Sequence, residues 1–289
     1  MVFKKIRIFF EMIKFEHTLF ALPFAYVGAL ITEMKIPAVH DIIWITLAMV
    51  GARTAAMSLN RIIDRRIDVR NPRTAGRALP KGLLKVTEVW VYVFLSFALL
   101  LYSANQLSPL AFRLFPVAVL VLLTYSFTKR FSWACHLFLG TALGLAPLGS
   151  WIAITNRFDL APVLLSIGVI FWVAGFDIIY ACDDYEFDRK EGLYSIPARF
   201  GIKNALIIST VFHVIAAVFI LAAGLVLQLG VFYMAGVLVA VVILFYQHTL
   251  VRPDDLSKAG IAFFNLNGIL SIVVFAFTFL DVLYPLRLF

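Results

Sequence analysis

Polar residues in this chain gather between long apolar runs. The runs reach about 20 residues, enough to cross a bilayer as helices. They are continuous, unlike the shorter alternating strands of a membrane barrel. The pattern predicts nine helices, at residues 15–35, 40–60, 86–106, 109–128, 133–154, 160–182, 204–226, 230–250 and 260–282. Most connections are short turns, but those at about 61–85 and 183–203 are long and charged. No low-complexity tail or soluble insert is visible. The expected architecture is all-α, a bundle of nine transmembrane helices forming one membrane domain over residues 1–289.

Composition agrees. Hydrophobic residues make up 62% of the 289, against about 45–50% in a soluble domain. Lys4, Lys5 and Arg7 precede an apolar run that further spans follow, which reads as a first span rather than a cleaved leader. Cys135 and Cys182 lie far apart inside apolar runs and read as buried small hydrophobes.

Charge gives the helices a direction. Of the 25 Lys and Arg residues, 20 fall on the N-terminal side and four on the other; Arg53 alone lies well within a span. The bias predicts a multi-pass protein of the cell inner membrane with a cytoplasmic N-terminus and a C-terminus on the opposite side. The net charge of +8 is then mostly topology, and no nucleic-acid partner is expected.

Each long loop opens with an acidic cluster. Asn60, Asp64 and Asp68 recur every fourth residue, and so do Asp184 and Asp188. On a helix each set shares one face. The second pair follows the first at a spacing of 120 residues, and cations, Pro and Gly follow both in the same order, which suggests an internal duplication. Ionisable groups at a membrane boundary mark functional sites. Two facing Asp pairs suit two Mg²⁺ ions, which prefer carboxylate oxygens and complete their shells with water and phosphate. Such ions clamp a diphosphate, and Arg or Lys donate to its remaining oxygens. Arg73, Arg77, Lys129, Arg189 and Lys190 are the candidates; Arg65, Arg66, Lys81 and Lys85 read as topology charges. Arg53, two turns deep on the face of Asn60, either pairs with Asp177 or binds an anionic substrate group. His17, His136, His213 and His248 read as satisfied polar residues, with some interest in Lys14 and His17 near the cytoplasmic mouth. No phosphate-loop, dinucleotide or nucleophile-elbow motif is present.

These residues carry a resemblance. Asn60-x-x-x-Asp64-x-x-x-Asp68, followed by Asn71-Pro-Arg73-Thr74 and Arg77-x-x-Pro80-x-Gly82, resembles the first signature of the UbiA family of intramembrane prenyltransferases. Tyr180-Ala181-x-x-Asp184-x-x-x-Asp188, with Ser195-Ile-Pro197 and Gly201, resembles the second. The segment from Lys14 to Pro23 is similar to the start of helix 1 in the 4-hydroxybenzoate branch. Arg61 departs from the pattern, since many members carry Asp after the Asn, and Asp183 is an extra acid.

The resemblance implies a nine-helix bundle around a central cavity. It also implies Mg²⁺-dependent transfer of a polyprenyl group from its diphosphate to an acceptor. Asp64, Asp68, Asp184 and Asp188 would hold the metal; Asn60 would share in catalysis; Arg53, Asn60 and Tyr180 would meet the acceptor. 4-Hydroxybenzoate is the expected acceptor, in quinone biosynthesis. Gly175-Phe-Asp177-Ile-Ile-Tyr180 and Tyr185-Glu-Phe leave a dihydroxynaphthoate of menaquinone biosynthesis as the alternative. Outside enzymes, a cation-coupled transporter is the competing reading, although transporter sites usually lie near the midplane.

Overall fold

A computed structural model describes residues 2–14 and 18–287 of the chain. His17, with Phe15 and Glu16, lies outside the described residues. Among the described residues, eight helices are long and apolar enough to cross a membrane, and a ninth apolar helix is shorter. This is a multi-pass membrane protein. The elements run α1 (Val2–Met12), α2 (Thr18–Leu30), α3 (Val39–Arg70), α4 (Val86–Leu107), α5 (Pro109–Thr128), α6 (Cys135–Thr155), α7 (Leu160–Ala181), α8 (Tyr185–Glu191), α9 (Ile196–Val226), α10 (Val231–Thr249) and α11 (Ala259–Leu283).

Helix α7 is the axis of the bundle. In the stretch that includes it, 61% of the apolar window is buried, against 17% for α5. Leu165, Val169, Trp172, Val173 and Phe176 form its inner stripe, at the three- and four-residue steps of a helix face. They pack on Phe24 and Val27 of α2, Ala216 and Ile220 of α9, and Leu270 and Val274 of α11. Small residues let the backbones close. A Cβ on Gly140 of α6 would stand 2.3 Å from the Ile170 carbonyl oxygen of α7. Close approach of this kind is how helices associate where lipid removes the hydrophobic drive.

Three departures from the expected boundaries shape the site. First, α3 does not end at residue 60; it continues to Arg70, 32 residues in all. At 1.5 Å per residue that is about 48 Å, well beyond a hydrocarbon core of about 30 Å. The arginines that look like loop charges are good helix formers. Second, α7 does not run smoothly into the second acidic cluster. A 3₁₀ turn, Cys182–Asp184, separates it from α8, so Asp184 closes the turn and Asp188 lies within α8. Third, helix begins again at Ile196 rather than 204 and kinks at Gly201, whose φ of 80° an L-residue rarely adopts.

Helix α1 was not expected as an element. It is too short and charged to span, and one face is apolar. Phe9, Met12 and the following Ile13 are buried against Leu59 and Ile62 of α3 and Val89 of α4. Phe9 stacks on Tyr92 at 3.8 Å, and Lys5 pairs with Glu88. One apolar face on an otherwise charged short helix is the pattern that suits a membrane interface.

Candidate active site

The protruding end of α3 places Asn60, Asp64 and Asp68 along one side of a cavity of about 720 Å³. Asp184 and Asp188, Arg73, Arg77 and Lys129 line the same cavity. The folding of the loop after α3 explains the meeting. Asn71 ends the helix with its N–H on the Ile67 carbonyl, and its side-chain oxygen accepts the N–H of Arg73 at 2.9 Å. Thr74 Oγ1 donates back to the Asp68 carbonyl at 3.1 Å. The loop therefore turns over the end of α3 and presents Arg73 and Arg77 inward.

Three of the four acids are held by cations. Asp64 accepts from Lys129 Nζ at 2.6 Å, from Arg130 at 2.9 Å and from Asn60 Nδ2 at 3.0 Å. Asp68 accepts from Arg77 at 2.7 Å. Asp184 takes a forked pair from Arg73, with Nε at 2.9 Å, and the Asn71 amide at 2.9 Å. Arg73 also donates to the Tyr180 hydroxyl at 2.6 Å. Asn71 and Arg73 thus bridge the two acidic clusters directly. Asp64 and Asp68 are 2% and 3% exposed, and burial of this depth demands such partners.

This arrangement refines the expected metal site. Among the described residues, no three acid, His or Cys side chains converge closely enough to hold an ion. Three of the four carboxylates expected to hold metal are paired with cations: Asp64 with Lys129 and Arg130, Asp68 with Arg77, and Asp184 with Arg73. The donor set still suits a hard cation, because it is made of carboxylate and amide oxygens. One atom points the same way. Asp68 Oδ2 is buried without a hydrogen-bond partner, a state that normally calls for an unseen water or ion.

The other expected residues divide. Arg53 lines the polar cavity and also a second, apolar cavity of about 320 Å³ between α3, α4, α5 and α6. Met57, Tyr125, Leu139 and Leu143 belong to both cavities, so the two adjoin. Asp177, offered as a partner for Arg53, takes His136 Nδ1 at 2.7 Å. His136 Nε2 accepts the Ile196 N–H at 3.2 Å, so this histidine is satisfied as expected. Tyr180 lines the same cavity and stands with Arg73. Arg189 and Lys190 do not line the cavity: both are exposed, and Arg189 donates to the Tyr185 hydroxyl at 2.8 Å. Both cysteines are free thiols.

Arg61 proves to be buried structure. Its Nε donates to the Met12 carbonyl at 3.2 Å and so pins the end of α1 to α3 beside the cavity. Sequence reasoning missed the roles of Asn71, Arg130, Phe263 and Phe264. Asn71 stands in the first signature without a role assigned, and Arg130 adjoins Lys129, so each had a signal. The two phenylalanines line the cavity from α11, and nothing distinguishes them from other apolar span residues.

The geometry has relatives. The chain is 32% identical over 237 residues to the 4-hydroxybenzoate octaprenyltransferase of Aeromonas salmonicida (strain A449), covering 81% of this chain and 80% of that protein. It is 32% identical over 244 residues to the protein of that name from Janthinobacterium sp. (strain Marseille), covering 82% and 83%. The apo structure of a UbiA homolog from Aeropyrum pernix K1 superposes with a TM-score of 0.84 at 35% identity, covering 92% of this chain and 98% of that one. A UbiA homolog from Archaeoglobus fulgidus, solved with DMAPP and Mg²⁺, shares the fold at a TM-score of 0.70 and 20% identity, over 96% and 99% of the two chains. The model of the UbiA prenyltransferase family matches residues 21–269, and this chain belongs to that family.

Proposed function

We propose that this protein transfers a polyprenyl group from polyprenyl diphosphate to an aromatic acid, 4-hydroxybenzoate, in ubiquinone-type quinone biosynthesis. The observation that carries the reading is the union of two cavities: a polar one lined by Asp64, Asp68, Asp184 and Asp188 with Arg73, Arg77 and Lys129, and an apolar one that opens from it at Arg53. A prenyl diphosphate has that polarity, an anionic head on an apolar tail. The relatives named for octaprenyl transfer to 4-hydroxybenzoate support the acceptor, and membership of the family favours a transferase over a cation-coupled transporter.

The carboxylates of Asp64, Asp68, Asp184 and Asp188 would hold Mg²⁺, which when bound offsets the charge of the departing diphosphate. Arg73, Arg77 and Lys129 carry donors already desolvated and oriented in the cavity. On this reading they pass from carboxylate to phosphate oxygens as the substrate enters. Arg73 is suited to a bidentate grip. In the transfer itself the allylic C–O bond breaks with its electron pair leaving on diphosphate. A ring carbon of the acceptor forms the new C–C bond and then loses its proton. Apolar walls exclude water from the allylic cation. The Arg53 guanidinium supplies a counter-charge for the ring carboxylate. The inside-positive charge bias supports a cytoplasmic orientation of this cavity in the cell inner membrane, with the C-terminus opposite.

The test is an acceptor panel. Purified protein given one prenyl diphosphate and Mg²⁺ should prenylate 4-hydroxybenzoate in preference to a dihydroxynaphthoate or a glycerol-phosphate acceptor. Preference for the naphthoate would move the protein to menaquinone biosynthesis.

A further inference from the structure

The last helix reaches the diphosphate side of the cavity through an irregular turn. Residues Ala262–Leu266 of α11 form a π-turn, one residue wider than an α-turn. Such bulges sit frequently at functional sites. Here its cause is visible. Asn267 is fully buried; its Oδ1 accepts the indole N–H of Trp172 at 2.9 Å. Its Nδ2 donates to the carbonyls of Ala262 at 3.0 Å and Phe263 at 2.9 Å, two groups that a regular ladder would satisfy along the backbone. One side chain therefore fixes the wide turn to the bundle axis.

The turn delivers one ring. Phe263 stacks on Tyr180 with centroids 4.2 Å apart and planes 21° from parallel. It meets Phe176 edge-on at 5.3 Å, and Phe176 meets Trp172 at 5.2 Å. Tyr180, held this way, accepts the Arg73 Nη1–H on its hydroxyl oxygen at 2.6 Å and lies under the Arg73 guanidinium with its ring centroid at 4.8 Å. Arg73 then forks onto Asp184. A continuous chain of contacts runs from Trp172 and Asn267 through Phe263 and Tyr180 to the ion pair. The Asp64 half of the site has other supports, Lys129, Arg130 and Asn60.

We propose that Phe263 is a positioning residue for diphosphate binding: the π-turn held by Asn267 presses its ring on Tyr180 and thereby sets Arg73 and Asp184. The proposal rests on the prenyl-transfer reading. It separates Phe263 from ordinary packing, because a packing residue alters stability and leaves the affinity of the folded protein alone.

The experiment measures binding of geranyl diphosphate with Mg²⁺ by calorimetry to detergent-purified parent, Phe263→Ala, Phe263→Leu and Phe263→Tyr, with the melting temperature of each and the KM for the aromatic acid. Phe263→Leu fills the space without a ring and guards against loss of fold in Phe263→Ala. The expected result is a Kd raised about tenfold in Phe263→Ala and Phe263→Leu, in line with outer partners of ligand groups elsewhere. Phe263→Tyr, which keeps the ring, stays close to the parent, and the acid's KM is unchanged in all. Parent-like affinity in folded Phe263→Leu overturns the proposal, as does a loss that falls on the aromatic acid instead. A parent that binds while every variant binds equally removes this inference and leaves the function standing. A parent that does not bind geranyl diphosphate removes both.

Discussion

Arg73 and Asp184, 111 residues apart in the chain, meet through a forked hydrogen-bonded pair with Arg73 Nε 2.9 Å from Asp184 Oδ1. The pair ties the loop after α3 to the break after α7, so one contact joins the two acidic clusters. Lys in place of Arg keeps the charge but loses the fork and the contact with Tyr180. Arg73→Lys is expected to raise KM for prenyl diphosphate about tenfold, a loss of roughly 1.4 kcal/mol, while KM for the aromatic acid holds. Steady-state kinetics with each substrate varied in turn checks this.

The acids should matter more than any single cation. Asp64→Ala, Asp68→Ala, Asp184→Ala and Asp188→Ala are each expected to lower kcat by roughly 10²–10³-fold, the scale of losing one preorganised electrostatic contact. The variants should still insert and show a normal helical circular dichroism spectrum. Near-parent turnover in all four at limiting Mg²⁺ sinks the metal clamp.

Position in the cavity, rather than charge in the loop, should decide which cations count. Lys129 lines the cavity and holds Asp64, whereas Arg189 faces solvent on Tyr185. Lys129→Ala should raise the donor KM, with Asp64 still held by Arg130 at 2.9 Å. Arg189→Ala should leave donor kinetics unchanged. Equal effects from the two substitutions would mean that general cationic charge, not this geometry, binds the donor.

Arg53 stands where the polar and apolar cavities join. Arg53→Leu is expected to raise KM for the aromatic acid at least about tenfold, since a hydrogen bond to a charged group contributes about 1.5–3 kcal/mol. Removing the carboxylate from the acceptor should then cost the parent far more than the variant. A double-mutant-type cycle over two enzymes and two acceptors measures the coupling. Additive losses would show that Arg53 does not read the carboxylate.

The parts of this site that follow local periodicity were legible in the sequence. Four-residue spacing placed Asn60, Asp64 and Asp68 on one face, and α3 carries them so. Long apolar runs located the spans. What was not legible is what tertiary contact decides. Lys129 finds Asp64 across 65 residues, and Arg77 turns back onto Asp68 because Asn71 and Thr74 fold the loop. Helix α1 escaped notice because its apolar stripe is short and broken by charges. Arg189 and Lys190 looked equivalent to Arg73 by order along the chain, yet the 3₁₀ turn at Cys182–Asp184 and the short α8 aim them outward. Phe263 had no signal at all: a π-turn has no sequence signature, and one phenylalanine among 28 looks like any other.

The most direct measurement of the central claim is the stoichiometry of transfer in nanodisc-embedded protein supplied with Mg²⁺, a polyprenyl diphosphate and 4-hydroxybenzoate. Released diphosphate and prenylated ring would be followed together, by coupled assay and mass spectrometry. The account predicts one diphosphate released per ring prenylated, with both signals lost when either Mg²⁺ or the aromatic acid is withheld. Diphosphate release at an unchanged rate without any aromatic acid, and no prenylated ring with it, would contradict the account.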